Sequence, residues 1–447
     1  MPSRTLAALL VAIVALPACA RAQERPALDQ EARATWLKKN AIALRSIDPA
    51  NEDFADLEPL RKIIGDARVV QLGEQTHGDG ATFHAKARLI KFLHQKMGFD
   101  VLAVESGLYD CKKAWALLRK GKDPYTAVSH GVFSIWTRSE QFQPVIDYLG
   151  KAVDGDRPLE LCGFDCQFTA AASREHLQAD VKAVLARLDE KAIDAAARAT
   201  LLAALNDLLE DEEAPAPAVQ ETQQKALAAF SAALAAAKPS AEIPAAELAF
   251  WRQLAASNAV QAEVHWLGKT PGKRDFIAIT NRRDAQMARN LVWLAHEAYP
   301  KRKIIVWAAS MHLMRNPSAV QPLMGLPADY YKNVVTMGHE VYKALGKETY
   351  TLAFVAAEGQ AGLPWGKPWK LNPVQPGSLE GLLVAAGHTN AVVDFRGLDD
   401  SGRWLREKLT ARPLGHSDMT ADWTNVFDGV VFTRTMFPST MTERAKQ

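Results

Sequence analysis

Apolar residues along this chain fall into short continuous runs, separated by stretches that repeat at helical spacing. Ala67 to Leu72, Val101 to Val104, Leu159 to Gly163 and Lys303 to Ala308 are runs of the first kind. Further strands are predicted at Val334 to Met337, Tyr350 to Ala356, Ala391 to Phe395 and Val430 to Thr433. Runs that are apolar at nearly every position suit strands covered on both faces, as in parallel sheets. Over residues 79–97, Phe83, Ala87, Ile90, Leu93 and Met97 recur at close to helical spacing. Residues 30–65, the stretch through Trp115 and Leu118, and Arg283 to Ala298 also read as helices. Strand and helix in alternation predict an α/β fold with a mostly parallel central sheet flanked by helices.

From about residue 170 to 268 the pattern changes. Alanine, leucine and charged residues dominate, β-branched residues are few, and Pro215, Pro217, Pro239 and Pro244 interrupt the run. This predicts an all-helical insertion of several amphipathic helices. Leu363 to Gly377 holds Trp365, Trp369 and four prolines. Its composition predicts a stiff loop at a pocket rim, where both tryptophans are candidates to touch substrate.

The N-terminus adds an address. Arg4, an apolar segment from Leu6 to Leu16 and the Ala20-Arg21-Ala22 site read as a secretory signal peptide over residues 1–22. Its apolar run is too short to span a bilayer. Cleavage near Ala22 leaves a mature chain of residues 23–447, periplasmic or secreted. Leu16-Pro17-Ala18-Cys19 offers a competing lipid anchor at Cys19, the one membrane link expected. Loss of Arg4 and Arg21 brings the basic count level with the 51 acidic residues. A neutral chain has no electrostatic footprint for nucleic acid, and a monomer is the default. Cys111, Cys162 and Cys166 remain for an oxidising compartment. They can form one disulfide, with Cys111–Cys166 the preferred pair, or stay as three buried thiols. Their spacing matches no zinc pattern.

Glu74, His77, Glu105, Asp165 and His312 all fall just after predicted strand ends. Ligands of open α/β sheets sit beyond the carboxyl ends of the strands, so these groups are predicted to converge there. An imidazole flanked by carboxylates suits general-base work on water, because the acid fixes the ring tautomer and stabilises the imidazolium. No G-x-S-x-G elbow accompanies them. Two glutamates and two histidines also suit a divalent ion with an open position for water, so a metal-dependent hydrolase is the alternative. Taken singly, Glu105 also fits a helix N-cap, Asp165 a loop tie, and Arg283 with Asp284 a local ion pair. His130, His296, His339 and His388 have no partner that the sequence identifies.

Gly73-Glu74-Gln75-Thr76-His77-Gly78 resembles the G-E-x-T-H-G signature of the erythromycin esterase family. The likeness continues through Arg88-Leu89-Ile90, Val104-Glu105-Ser106, Gly163-Phe164-Asp165, and Arg283-Asp284 with Met287 and Asn290. It runs on to Trp307 and His312, Met337-Gly338, Gly377-Ser378-Leu379-Glu380 and Phe427-Asp428. The resemblance implies metal-independent hydrolysis of a small-molecule carboxylic ester or lactone, without a cofactor. It casts His77 as the base, Glu74 as the group that orients it, and Glu105 and His312 as the rest of the catalytic pocket. The family's arginine nine positions after the catalytic histidine corresponds to Lys86 here, with Arg88 two further on. Asp165, Arg283, Trp365 and Trp369 complete the supporting candidates. Where the family has W-x-H-N-x-H, this chain has Ala309 and Ser310 before His312, and the acid expected four residues past His77 is Ala81. A non-catalytic relative that keeps the pocket for a ligand is the third reading of those changes.

Overall fold

Apolar residues on both faces carry six strands into the parallel middle of one nine-stranded sheet. The computed structural model describes residues 18–210, 213–270, 272 and 275–446. Its main strands are β1 (Val69–Leu72), β2 (Phe99–Gly107), β3 (Glu160–Asp165), β4 (Lys303–Trp307), β5 (Thr349–Ala361), β6 (Asn390–Asp394) and β7 (Gly429–Met436). They lie in the order β6-β7-β5-β1-β4-β2-β3, parallel throughout except for β6, which runs against β7. Ile42–Ala43 extends the β6 edge and Trp369–Lys370 pairs with the end of β5.

Register places the site. Leu72 lies beside Trp307, Trp307 beside Val104, and Val104 beside Gly163, so four strands end level with one another. Glu74, Glu105, Asp165 and Ala309 each follow that row by one or two positions. Side chains alternate across the sheet. Val70, Leu72, Leu102, Val104 and Trp307 pack on one face with the helices Gly80–Met97, Leu108–Arg119 and Gln143–Ala152. Val69, Val101, Ala103, Ile304 and Val306 pack on the other with Met287 and Leu291 of the helix Phe276–Trp293.

Beyond β3 come the helices Gln178–Arg187, Ala195–Leu209, Pro217–Ala236 and Ala245–Lys269. They close around an apolar core of their own, to which Leu108 and Tyr109 contribute from the sheet domain.

Several expectations need correcting. Residues 30–65 are not one helix. The helix Ala18–Asn40 stops, and only Leu60–Ile64 is helical again. Between them Asp48, Asn51 and Asp53 each accept a hydrogen bond from the backbone N–H two residues on, which favours turns over helix. The strand expected at Val334 to Met337 is instead irregular chain leading into the helix Met337–Leu345, which Thr336 caps by accepting from the His339 N–H. Cys111, Cys162 and Cys166 are all buried free thiols, not a Cys111–Cys166 disulfide. Cys111 and Cys162 pack into the apolar layers on opposite faces of the sheet. Burial pushes all three thiols well above their ordinary range. Most of the expected leader, residues 1–17, lies outside the described residues. Among those described, no helix is long and apolar enough to cross a membrane.

Candidate active site

The loop after β1 passes against the segment after β4, and glycine permits the approach. A Cβ on Gly73 would stand 2.4 Å from the Ser310 hydroxyl oxygen, and one on Gly78 would stand 2.6 Å from the Gly362 carbonyl carbon. The Ser310 N–H donates to the Glu74 carbonyl at 2.8 Å, locking the two segments. Within this loop the Glu74 carboxylate is wholly buried and fully engaged. Its Oε1 accepts from Trp136 Nε1 at 3.0 Å and lies 2.7 Å from His77 Nδ1; its Oε2 accepts from Lys86 Nζ at 2.7 Å. Lys86 arrives from the helix Gly80–Met97, also fully buried, with its ammonium 3.7 Å from the centre of the Trp307 ring.

These contacts set the charges. Burial alone would raise the Glu74 carboxyl, but the Lys86 ammonium and the His77 hydrogen bond hold it below its ordinary value. Burial lowers Lys86 to about 8 despite the Glu74 carboxylate beside it. For His77 burial opposes protonation, yet the Glu74 hydrogen bond and the Glu74 and Glu105 charges outweigh it and raise the imidazole. His77 keeps 31% of its side chain exposed, and its Nε2 has no partner among the described residues.

A second group sits one strand over. Glu105 Oε1 accepts from Arg283 Nη2 at 2.9 Å, and its Oε2 accepts from the Ala309 N–H at 2.9 Å. Arg283 is forked onto Asp165 as well, with Nη2 2.6 Å from Oδ2 and Nε 3.2 Å from both oxygens. His312 Nδ1 lies 2.8 Å from Asp284 Oδ1, and its Nε2 lies 3.2 Å from both Glu105 Oε1 and Arg283 Nη1. Burial works against the His312 imidazolium, but the charges of Asp284 and Glu105 raise it to about 10. A protonated ring donates from both nitrogens, so Glu105, not Arg283, is its Nε2 partner. Burial likewise opposes the Glu105 carboxylate, but His312 and Arg283 hold it well below its ordinary range.

Glu74, His77, Glu105, His312, Lys86, Asp165 and Arg283 therefore gather at the carboxyl edge of the sheet. Arg88 does not. It turns away, forks onto Asp56, and donates to the backbone carbonyls of Ser46, Asn51 and Asp53. Two helix positions from Lys86, it faces a different side, where it ties down the turns of residues 46–56. Trp365 and Trp369 are exposed on the segment after β5. Ala81 packs among Ala356, Ala361, Leu371 and Met436, a place closed to an acid.

Trp136 and Asp79 escaped the sequence, which offers Asp284 only as a local partner of Arg283. Trp136 carried no local signal. Asp284 follows Arg283, yet it serves His312 and the Met337 N–H. Asp79 accepts from the Thr76 N–H and hydroxyl at 2.7 Å each and lies 2.9 Å from His416 Nε2, clamping the loop that carries His77.

An imidazole–carboxylate pair with one ring nitrogen unpartnered, at the carboxyl edge of a parallel sheet, is an arrangement suited to proton transfer in an α/β enzyme. The erythromycin esterase family model matches residues 94–436, and the chain belongs to that family. The match begins downstream of Gly73 to Gly78, so membership stands independently of that motif. A Bacillus subtilis (strain 168) relative named "Putative hydrolase YbfO" is 28% identical over 439 residues, covering 94% of each chain. The crystal structure of a Bacillus cereus protein superposes with a TM-score of 0.72 at 18% identity, over 93% of this chain and 99% of that one. A mutant of the erythromycin esterase EreC in its open conformation gives a TM-score of 0.65 at 17% identity, over 88% and 96%. At such identities the two structures speak for the fold alone.

Proposed function

We propose that this chain is an exported hydrolase that cleaves a small-molecule carboxylic ester or lactone with water activated by His77, without a metal. The observation that carries this reading is the asymmetry of His77. Its Nδ1 is fixed 2.7 Å from Glu74, while Nε2 has no hydrogen-bond partner among the described residues and the side chain keeps 31% of its surface exposed. The carboxylate holds the tautomer with the proton on Nδ1, leaving the Nε2 lone pair to take a proton from water as it attacks the carbonyl. Arg283 and the His312 imidazolium supply fixed positive charge beside the base, where the developing oxyanion or leaving oxygen needs it. Trp136 and Lys86 hold Glu74, and Asp165 holds Arg283. Each of these acts by positioning.

The charge balance of the site agrees. Lys86 neutralises Glu74, and Arg283 and His312 satisfy Glu105, so the carboxylates are occupied by the protein's own cations. A panel of esters and lactones, assayed with the chelator-treated protein and with His77→Ala, tests the proposal. Turnover by the wild type that falls by roughly 100- to 10,000-fold in the variant is expected. Full turnover by His77→Ala, or loss of wild-type turnover on chelation with return on adding metal, defeats it.

A further inference from the structure

Away from the catalytic edge, two histidines and a glutamate from distant parts of the chain point at one another. His130 lies near the end of the helix Pro124–Gly131. Glu175 and His176 lie on the single π-turn Ser173–Leu177, where the helical insertion begins. His130 Nε2 is 3.6 Å and His176 Nε2 is 3.7 Å from the same oxygen, Glu175 Oε2. The rings stand 5.5 Å apart at 50°, and one donor atom from each of the three residues falls within 4.8 Å of the other two. Both imidazole–carboxylate distances exceed hydrogen-bond length, and His130 Nε2 is buried with no hydrogen-bond partner.

That spacing suits a shared cation. Ligand atoms about 2.0–2.2 Å from a tetrahedral zinc ion stand roughly 3.3–3.5 Å from one another. The two imidazole nitrogens stand within a few tenths of an ångström of that spacing from Glu175 Oε2, and all three donors lie within 4.8 Å of one another. Another carboxylate lies close by. Asp180, one helical turn past His176, is held by Tyr109 at 2.7 Å and by Lys113. Burial pushes its carboxyl up, but Lys113, Tyr109 and, more weakly, the His176 charge keep it below its ordinary value. A π-turn is an uncommon helix defect that often marks a functional position, and here it presents two adjacent residues to the same partner.

We propose that His130, Glu175 and His176 form a binding site for a divalent transition metal of the zinc type, with water in the fourth position. The ion joins the helix Pro124–Gly131 to the first turn of the insertion. The site's supports lie on neighbouring elements of the chain: Trp136, which holds Glu74, is in the next helix Ser134–Thr137, and Asp165, which holds Arg283, ends β3 before the π-turn. The bound ion therefore acts as a brace for the insertion and takes no part in the hydrolytic chemistry.

The test is a titration of the metal-stripped full chain with Zn²⁺ by calorimetry, and with Co²⁺ by visible absorption. One bound equivalent, a tetrahedral Co²⁺ spectrum and a zinc-dependent rise in melting temperature are expected. His176→Ala and Glu175→Gln, both at exposed positions, should each weaken binding by roughly tenfold or more and abolish the thermal shift. His77→Ala should leave binding unchanged. No binding, or equal binding by wild type and His176→Ala, overturns the site. Binding lost in His77→Ala but kept in His176→Ala puts the ion in the catalytic cluster. That outcome overturns this site and the metal-free hydrolysis together, whereas the others leave the hydrolysis reading untouched.

Discussion

Replacing Glu74 with glutamine removes one oxygen's charge and leaves the shape of the site intact. Glu74 now accepts three hydrogen bonds, from Trp136, Lys86 and His77. An amide has one accepting end and one donating end, so it cannot serve all three. If its oxygen stays toward His77, the amide N–H₂ faces the Lys86 ammonium at about the present 2.7 Å. If it turns over, Lys86 is satisfied, but the N–H₂ faces His77 Nδ1, which must then accept. Without the carboxylate that raises it, Lys86 loses its proton more readily than in the wild type. Below its own pKa, however, the bond to the amide oxygen is charge-assisted, worth roughly 1.5–3 kcal/mol against about 1 for a neutral pair, and the turned amide is favoured there. The imidazole proton then moves to Nε2, and the ring can no longer take a proton from water there. Loss of a positioned general base costs about 100- to 10,000-fold in kcat/KM, or about 3–5 kcal/mol at 1.36 kcal/mol per tenfold. The pH dependence carries the sign. With His77 as the proposed base its neutral form is the active one, and Glu74 raises its pKa, so wild-type kcat/KM should climb with pH through a midpoint above 6.5. In Glu74→Gln the burial that lowers His77 persists and the carboxylate that raised it is gone. The remaining activity should therefore climb at a more acidic midpoint. The assay is kcat/KM against pH on the best ester of the panel, with circular dichroism and a melting curve to certify folding. A folded Glu74→Gln enzyme with wild-type kcat/KM, or with its midpoint unmoved, refutes the reasoning.

Lys86→Met should leave the buried Glu74 carboxylate without its cation and cost about 3–5 kcal/mol in denaturant unfolding; a loss below 1 kcal/mol would show that water reaches the pair. Arg88→Ala should lower stability by a similar amount, since it breaks the buried Asp56 pair, yet leave kcat of the folded enzyme within about twofold, because Arg88 faces away from the site. His312 has a folded pKa raised from 6.5 to about 10. The stability it contributes is fully present below about 6.5 and drains away as pH rises to about 10. The gap in melting temperature between wild type and His312→Gln should narrow across that window, and a constant gap contradicts a charged His312.

The strand ends were legible because buried parallel strands announce themselves as apolar runs, and β1 to β4 lie within a few residues of where those runs predict them. Once the strands share a sheet, Leu72, Val104, Gly163 and Trp307 fall level, and groups far apart in the chain meet without any further signal. What escaped depends on contacts between elements. Lys86 and Arg88 look interchangeable in the sequence, yet helix geometry sends one to Glu74 and the other to Asp56. Val334 to Met337 reads as a strand by composition, and only the Thr336 cap shows a helix starting there. Trp136 stands in a short helix with no repeat to read, and its indole matters only because Glu74 lies across from it. The pair of His130 with His176 was invisible for the same reason: a π-turn sets it, and no residue pattern specifies a π-turn.

The two glutamates repeat one design with one difference. Each sits at a strand end with a cation and an imidazole upon it: Glu74 with Lys86 and His77, Glu105 with Arg283 and His312. Both carboxylates are held ionised against burial, and both raise their imidazole. Yet His312 is closed on both nitrogens, by Asp284 and by Glu105, whereas His77 is closed on one. A ring closed by two carboxylates stays charged through neutral pH and can only lend its charge or give up a proton. A ring closed by one can lose its proton and act as a base. At Ala309, where the resemblance places a histidine, the contact with Glu105 is made by the backbone alone. What Glu105 takes from that position is the backbone N–H, which any residue but proline supplies. Ala309→Pro should therefore cost far more than Ala309→Val in kcat/KM, and equal losses would mean that the side chain, not the N–H, is what Glu105 needs.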